Sequence, residues 1–121
     1  MKSIFTEKIN QELKDDFLCP FETEDGIFLI EIIARAKSWW QNLKGLKSFL
    51  KDDDITLNLD NTEIFTSHNN DHDAKAIWNG NELKGLSKTV LIAVKFKKGK
   101  HSLVFKPDKS PVLKSIKIMA L

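Results

Sequence analysis

Three short stretches of this chain concentrate residue types that could do chemistry. Trp78-Asn79-Gly80-Asn81-Glu82 sets a large aromatic ring beside two amides and a carboxylate. A pyranose has an apolar C–H face that stacks on an indole and a rim of hydroxyls that need donors and acceptors next to it. We therefore expect Trp78 as a stacking platform, with Asn79, Asn81 and Glu82 as its hydrogen-bond partners. Arg35 and Trp39 are second candidates for the same ligand. Trp39 and Trp40 are adjacent, and adjacent helical positions point in different directions, so at least one of the two belongs to the core.

The second stretch, Asp52-Asp53-Asp54, carries hard oxygen ligands of the sort calcium takes, although the spacing matches no EF-hand loop. Calcium is the one cofactor these residues suggest, and a solvated turn or a helix cap is the other use of such a run. The third, His68-Asn69-Asn70-Asp71-His72-Asp73, has two histidines four apart. It lacks the glutamate that a His-Glu-x-x-His zinc protease places after the first histidine, and its composition is that of a surface loop.

Other reaction chemistries find no support. There is no Gly-x-Ser-x-Gly elbow and no phosphate-binding loop, so no enzyme is expected. Cys19 is the only cysteine, which excludes an intrachain disulfide and a cysteine-based zinc site. The turn Lys95-Phe96-Lys97-Lys98-Gly99-Lys100 is basic but has no arginine and one aromatic, which falls short of a nucleic-acid stacking platform. No nucleic acid is expected as a partner.

The elements that must position these residues follow from periodicity. With 121 residues and a hydrophobic fraction of 41%, one domain spanning 1–121 can bury its own core. Phe5, Ile9, Leu13 and Phe17 recur every four positions, which predicts an amphipathic leading helix within 1–19, stopped by Pro20. Ile27 to Ala34 is apolar at nearly every position, as a strand buried on both faces would be. Spacings of three and four from Ser38 to Leu50 predict a second, short helix.

Ile55-Thr56-Leu57-Asn58-Leu59 alternates as a half-exposed strand, Asp60-Asn61 turns, and Glu63 to Thr66 returns. Asn79-Gly80 is a tight-turn signal. Lys88 to Phe96 and His101 to Lys106, joined by Lys97–Lys100, predict a hairpin, and Leu113 to Met119 a last strand. Short strands without regular strand–helix alternation place the chain in the mainly β class, as an antiparallel β-sandwich over 20–121.

Charge divides the chain. Residues 1–73 hold 15 acids and 8 bases, and residues 74–121 hold 11 lysines and 2 acids, so the halves should interleave in one domain and neutralise each other locally.

Four segments carry a resemblance to a known family: Gly26 to Ala36, Ile55 to Asp60, and Val94 to Phe105 ahead of Leu113 to Ile118. Together they resemble the galactose-binding-like jelly rolls of carbohydrate-binding modules. The resemblance implies a jelly-roll sandwich, a carbohydrate partner bound in variable loops, and often a structural calcium; it assigns no binding residue by position. The leading helix, the helix at 38–50 and the absence of tyrosine depart from that pattern.

The expected function is a noncatalytic carbohydrate-binding module, and the alternative is a protein-interaction domain that uses the N-terminal helix or the basic hairpin. Residues 1–20 lack a signal-peptide core and no apolar run reaches bilayer length. The expectation is therefore no membrane partner, and a cytoplasmic location unless the domain is cut from a longer exported protein.

Overall fold

The computed structural model describes residues 2–38, 53–64 and 76–121. Their order is β1 (Lys2–Glu12), β2 (Phe17–Thr23), β3 (Gly26–Arg35), β4 (Asp54–Leu59), β5 (Thr62–Ile64), β6 (Trp78–Asn79), α1 (Gly80–Leu83), β7 (Ser87–Phe96), β8 (Gly99–Asp108) and β9 (Val112–Ala120). They form two antiparallel sheets, one ordered β1-β9-β3-β7 and the other β2-β8-β4-β5, with β6 paired to β4. Inward residues of both sheets build one core, with Ile30, Ile32 and Ile116 from the first and Ile55, Leu57 and Leu103 from the second, all fully buried. Each such side chain contributes about 1.5–3 kcal/mol of burial free energy.

The leading helix is corrected: this segment is β1, paired with β9 from Lys2↔Ala120 to Glu12↔Val112. A spacing of four is an even number, so residues that share a helix face also share a strand face. Phe5 and Ile9 do pack against the core, but from a strand. Register shifts and Asn10 at φ +47 bend β1, and beyond its end Leu13 is buried with its N–H donating to Pro111 O at 2.7 Å.

The hairpin over residues 88–106 is corrected as well. β7 pairs with β3 along ten residue pairs, whereas β8 lies in the other sheet between β2 and β4. Lys97–Lys98 is thus a corner between sheets. Turn chemistry specifies that the chain reverses but not which strand it then meets.

β3 is interior to its sheet, yet its two faces differ. Phe28, Ile30, Ile32 and Ala34 are buried, while Ile27 is 52% exposed, so an apolar run reads as doubly buried when one of its sides is only half covered. The helix expected at 38–50 lies outside the described residues, apart from Ser38. The helix that is described, α1, is a single turn inside what reads as a loop.

Charge interleaves as expected. Glu31 faces Lys117 across β3 and β9, and Glu22 faces Lys100 across β2 and β8.

Candidate functional site

Most residues singled out by sequence gather at one end of the sandwich, where β3 finishes and β4, β7 and β9 begin. Trp78 is fully buried there, and its indole N–H donates to Lys88 O at 3.0 Å while Lys88 Nζ donates to Ile77 O at 3.1 Å. The ring packs near Phe105, with centroids 6.4 Å apart. A ring with no exposed face cannot stack on a sugar, so the stacking role of Trp78 is corrected to a core role. The sequence context misled because polar neighbours in a turn do not report where the ring itself points.

Asn79, also buried, is the N-cap of α1, and its Oδ1 accepts from Asn81 N at 2.9 Å. Asn81, Glu82 and Arg35 are exposed at the same end. Trp39 lies outside the described residues.

The aspartates tie this end together. Asp53 is buried, its Oδ2 accepting from Lys37 N at 2.9 Å and its Oδ1 from Ser110 N at 3.2 Å. Asp54 Oδ1 accepts from Gly80 N at 3.4 Å. A buried carboxylate is costly unless hydrogen-bonded, and here backbone amides supply those bonds. Among the described residues, no group of three acidic, histidine or cysteine side chains could hold a metal ion. Asp52 and the loop His68 to Asp73 lie outside those residues.

Gly80 completes the closure. A β-carbon built on it would sit 2.0 Å from Lys37 O and 2.8 Å from Asp53 O. Only glycine lets the backbones approach so closely.

The opposite end is open. There the β2–β3 turn and the β7–β8 corner face the start of β1 and the end of β9 across a groove of about 380 Å³. Ile4, Phe28 and Ala120 give it an apolar floor and wall, and Glu22, Glu24, Asp25 and Lys98 give it a charged rim. A space of this size falls within the roughly 300–1,000 Å³ of small-ligand pockets.

Hydrogen bonds fix the rim's backbone and leave its side chains wet. Asp25 Oδ1 accepts from Lys98 N at 2.5 Å, and Thr23 Oγ1 donates to Lys97 O at 3.4 Å. Lys98 Nζ stands 3.7 Å from Glu24 Oε2 with both side chains mostly exposed, a pair worth little. Gly99 has φ +145, a conformation suited to glycine, and the space around it is empty within 4 Å of where a β-carbon would be.

His101 clamps this corner. Its Nδ1 lies 2.7 Å from Asp60 Oδ2 and its Nε2 2.8 Å from Lys97 O, while Asp60 Oδ1 accepts from Ser102 N at 2.9 Å. The ring also lies 4.3 Å, centroid to centroid, from Phe96. Burial alone lowers the His101 pKa, but hydrogen bonds to Asp60 and to the Lys97 carbonyl, with the charge of Asp60, together raise it above its ordinary value. With an acceptor at each ring nitrogen, the imidazolium satisfies both contacts as a double donor. Sequence places His101 two residues after a turn glycine, but nothing local signals its partner 41 residues earlier.

Cys19 is inert here, since burial and, secondarily, the charge of Glu7 push its thiol up to about 11.

No family model matches the chain, and no curated protein matches it. Solved structures do. Dimeric latent PorU from Porphyromonas gingivalis matches over 96% of this chain with a TM-score of 0.59 and 11% identity. The ANXUR2 extracellular domain from Arabidopsis thaliana matches over 88% with a TM-score of 0.53 and 12% identity. A family 35 carbohydrate-binding module from Clostridium thermocellum covers 93% of this chain and 74% of its own, at 6% identity and a TM-score of 0.46, too loose to carry an argument. The chain spans 12% of the PorU chain and 28% of the ANXUR2 chain. What is shared is the fold of one β-sandwich domain.

Proposed function

We propose that this domain is a noncatalytic carbohydrate-binding module of the jelly-roll type, and that it binds in the groove between the β2–β3 turn and the β7–β8 corner. The strand orders β1-β9-β3-β7 and β2-β8-β4-β5, with the chain crossing between sheets everywhere except along β4, β5 and β6, support the jelly-roll reading. The observation that carries the functional reading is the groove's composition. Ile4 and Ala120 offer apolar contact to the C–H face of a sugar ring, and Glu22, Glu24, Asp25 and Lys98 offer acceptors and donors to its hydroxyls.

The rim carboxylates also favour binding over hydrolysis. A glycosidase needs one carboxyl kept protonated by a secluded site, and Glu22, Glu24 and Asp25 are all exposed.

Titration of the ¹⁵N-labelled chain with neutral and charged mono- and oligosaccharides tests this proposal. Shifts of the Thr23, Asp25, Gly99 and Ala120 amides are expected. Absence of any shift at millimolar sugar would remove the proposal, and shifts confined to Asn81, Glu82 and Arg35 would move the site to the other end.

A further inference from the structure

We propose that β7 is a docking edge and that its partner is a second copy of this chain, paired β7 to β7 in antiparallel register with Leu91 opposite Leu91. Among the described residues, the two sheets end on β1 and β7 and on β2 and β5. Three of these edges carry devices that block further pairing. β1 is broken by register shifts, and β2 contains Pro20, which has no N–H to donate. β5, and β6 on the same side of β4, are three and two residues long. β7 has none of these defences. It runs ten residues from Ser87 to Phe96 with no proline, no glycine and an unbroken ladder to β3.

The ladder also fixes which groups face outward. Leu121 N donates to Ile27 O, the residue opposite it across β9 and β3. Odd residues of β3 therefore bond β9, and its even residues bond β7. By register the even residues of β7 are taken up by β3, so Thr89, Leu91 and Ala93 aim their N–H and C=O groups at the open edge. The side chains of the same residues are exposed, Leu91 at 59%. On the other face Val90 and Ile92 turn toward the core yet are only half-buried, while Ile32 and Ile30 opposite them on β3 are fully buried. A further strand along β7 would satisfy the edge and cover this flank.

Charge and symmetry favour a second copy as that strand. β7 carries lysines at 88 and 95 and no acid, so it can meet itself only where lysine avoids lysine. Opposed residues of an antiparallel pair share a face, which restricts a two-fold pairing to odd against odd and even against even. With Leu91 on the axis, Thr89 meets Ala93, Ser87 meets Lys95, Val90 meets Ile92 and Lys88 meets Val94. No like charges oppose one another, and the Lys88 ammonium is already drawn aside to Ile77 O. Pairing of one strand per copy buries less than the roughly 1,200 Å² of stable complexes, so the dimer expected is weak, forming at about 0.1–1 mM.

Sedimentation velocity of the full chain, from about 10 µM to about 1 mM, tests this. The mean mass should rise with concentration from 13.9 kDa toward twice that value. Leu91→Lys sets ammonium against ammonium on the axis at an already exposed position, and it should keep the chain monomeric with the melting temperature of dilute protein unchanged. Oxidation of Leu91→Cys reads the register. Opposed Cα atoms of an antiparallel pair lie about 4.5–5.5 Å apart, within disulfide reach, so a linked dimer should accumulate. Thr89→Cys, placed opposite Ala93, should link far more slowly, and Cys19 is buried and adds no background. A chain that stays monomeric throughout, or a dimer that survives Leu91→Lys, would overturn the proposal. Faster linking through Thr89→Cys than through Leu91→Cys would overturn the symmetric register.

Discussion

The two ends of the sandwich lie about 30 Å apart along β3 and use similar residue types to opposite effect. At the Trp78 end, an aromatic ring, amides and aspartates are turned inward. Trp78 bonds Lys88, Asn79 caps α1, and Asp53 bonds the amides of Lys37 and Ser110. At the groove end, carboxylates stay exposed, and only the backbone of the corner is tied down, by Asp25, Thr23 and His101. Polar residues that satisfy the backbone close an end of a fold. Polar residues whose own backbone is held by others remain free to meet a ligand.

The largest way to break this comparison is at the closed end. Trp78→Ala should cost about 3–5 kcal/mol in urea unfolding, with Trp78→Phe milder. If Trp78→Phe stays folded and loses sugar binding, the site belongs at that end after all.

Gly80→Ala comes next. Its new methyl meets the Lys37 carbonyl at 2.0 Å, and the backbone shift needed should cost about 1–3 kcal/mol, read as a lower urea midpoint with groove binding retained.

A pH series probes the clamp at the open end. Because the folded pKa of His101 is raised, its stabilisation is fully present below the ordinary histidine value of about 6.5 and is lost as pH rises through the raised folded value. The melting-temperature advantage of the native chain over His101→Gln should therefore be largest near pH 6 and shrink toward pH 8. An advantage that grew with pH would mean that the neutral ring is the bound form. The smallest effect is expected for Glu24→Gln, within about 0.5 kcal/mol in stability, so that any change it makes in ligand binding reads as a rim effect alone.

How much was legible in the sequence differs by element. The positions of β3, β4, β7, β8 and β9 were readable, because alternation and turn residues are local properties, although β8 runs from Gly99 to Asp108, beyond the His101 to Lys106 that the turn and proline signals delimit. The apolar spacing of Phe5 and Ile9 correctly marked them as core-facing but could not tell β1 from a helix, since a period of four satisfies both. The candidate site was less legible. Glu22, Glu24, Asp25 and Lys98 are unremarkable as letters, and they become a rim only because β2–β3 and β7–β8 cross between sheets at the same end.

By itself, then, the sequence determined a mainly β domain whose acidic and basic halves neutralise each other and whose later strands lie close to where periodicity places them, while β1 read as a helix and β2 went unread. Tertiary structure alone decided that β7 and β8 part into different sheets, that Trp78 is core rather than platform, and that His101 meets Asp60. These outcomes depend on which distant strands pair. Pairing is settled by burying one shared core, which no local stretch of residues encodes.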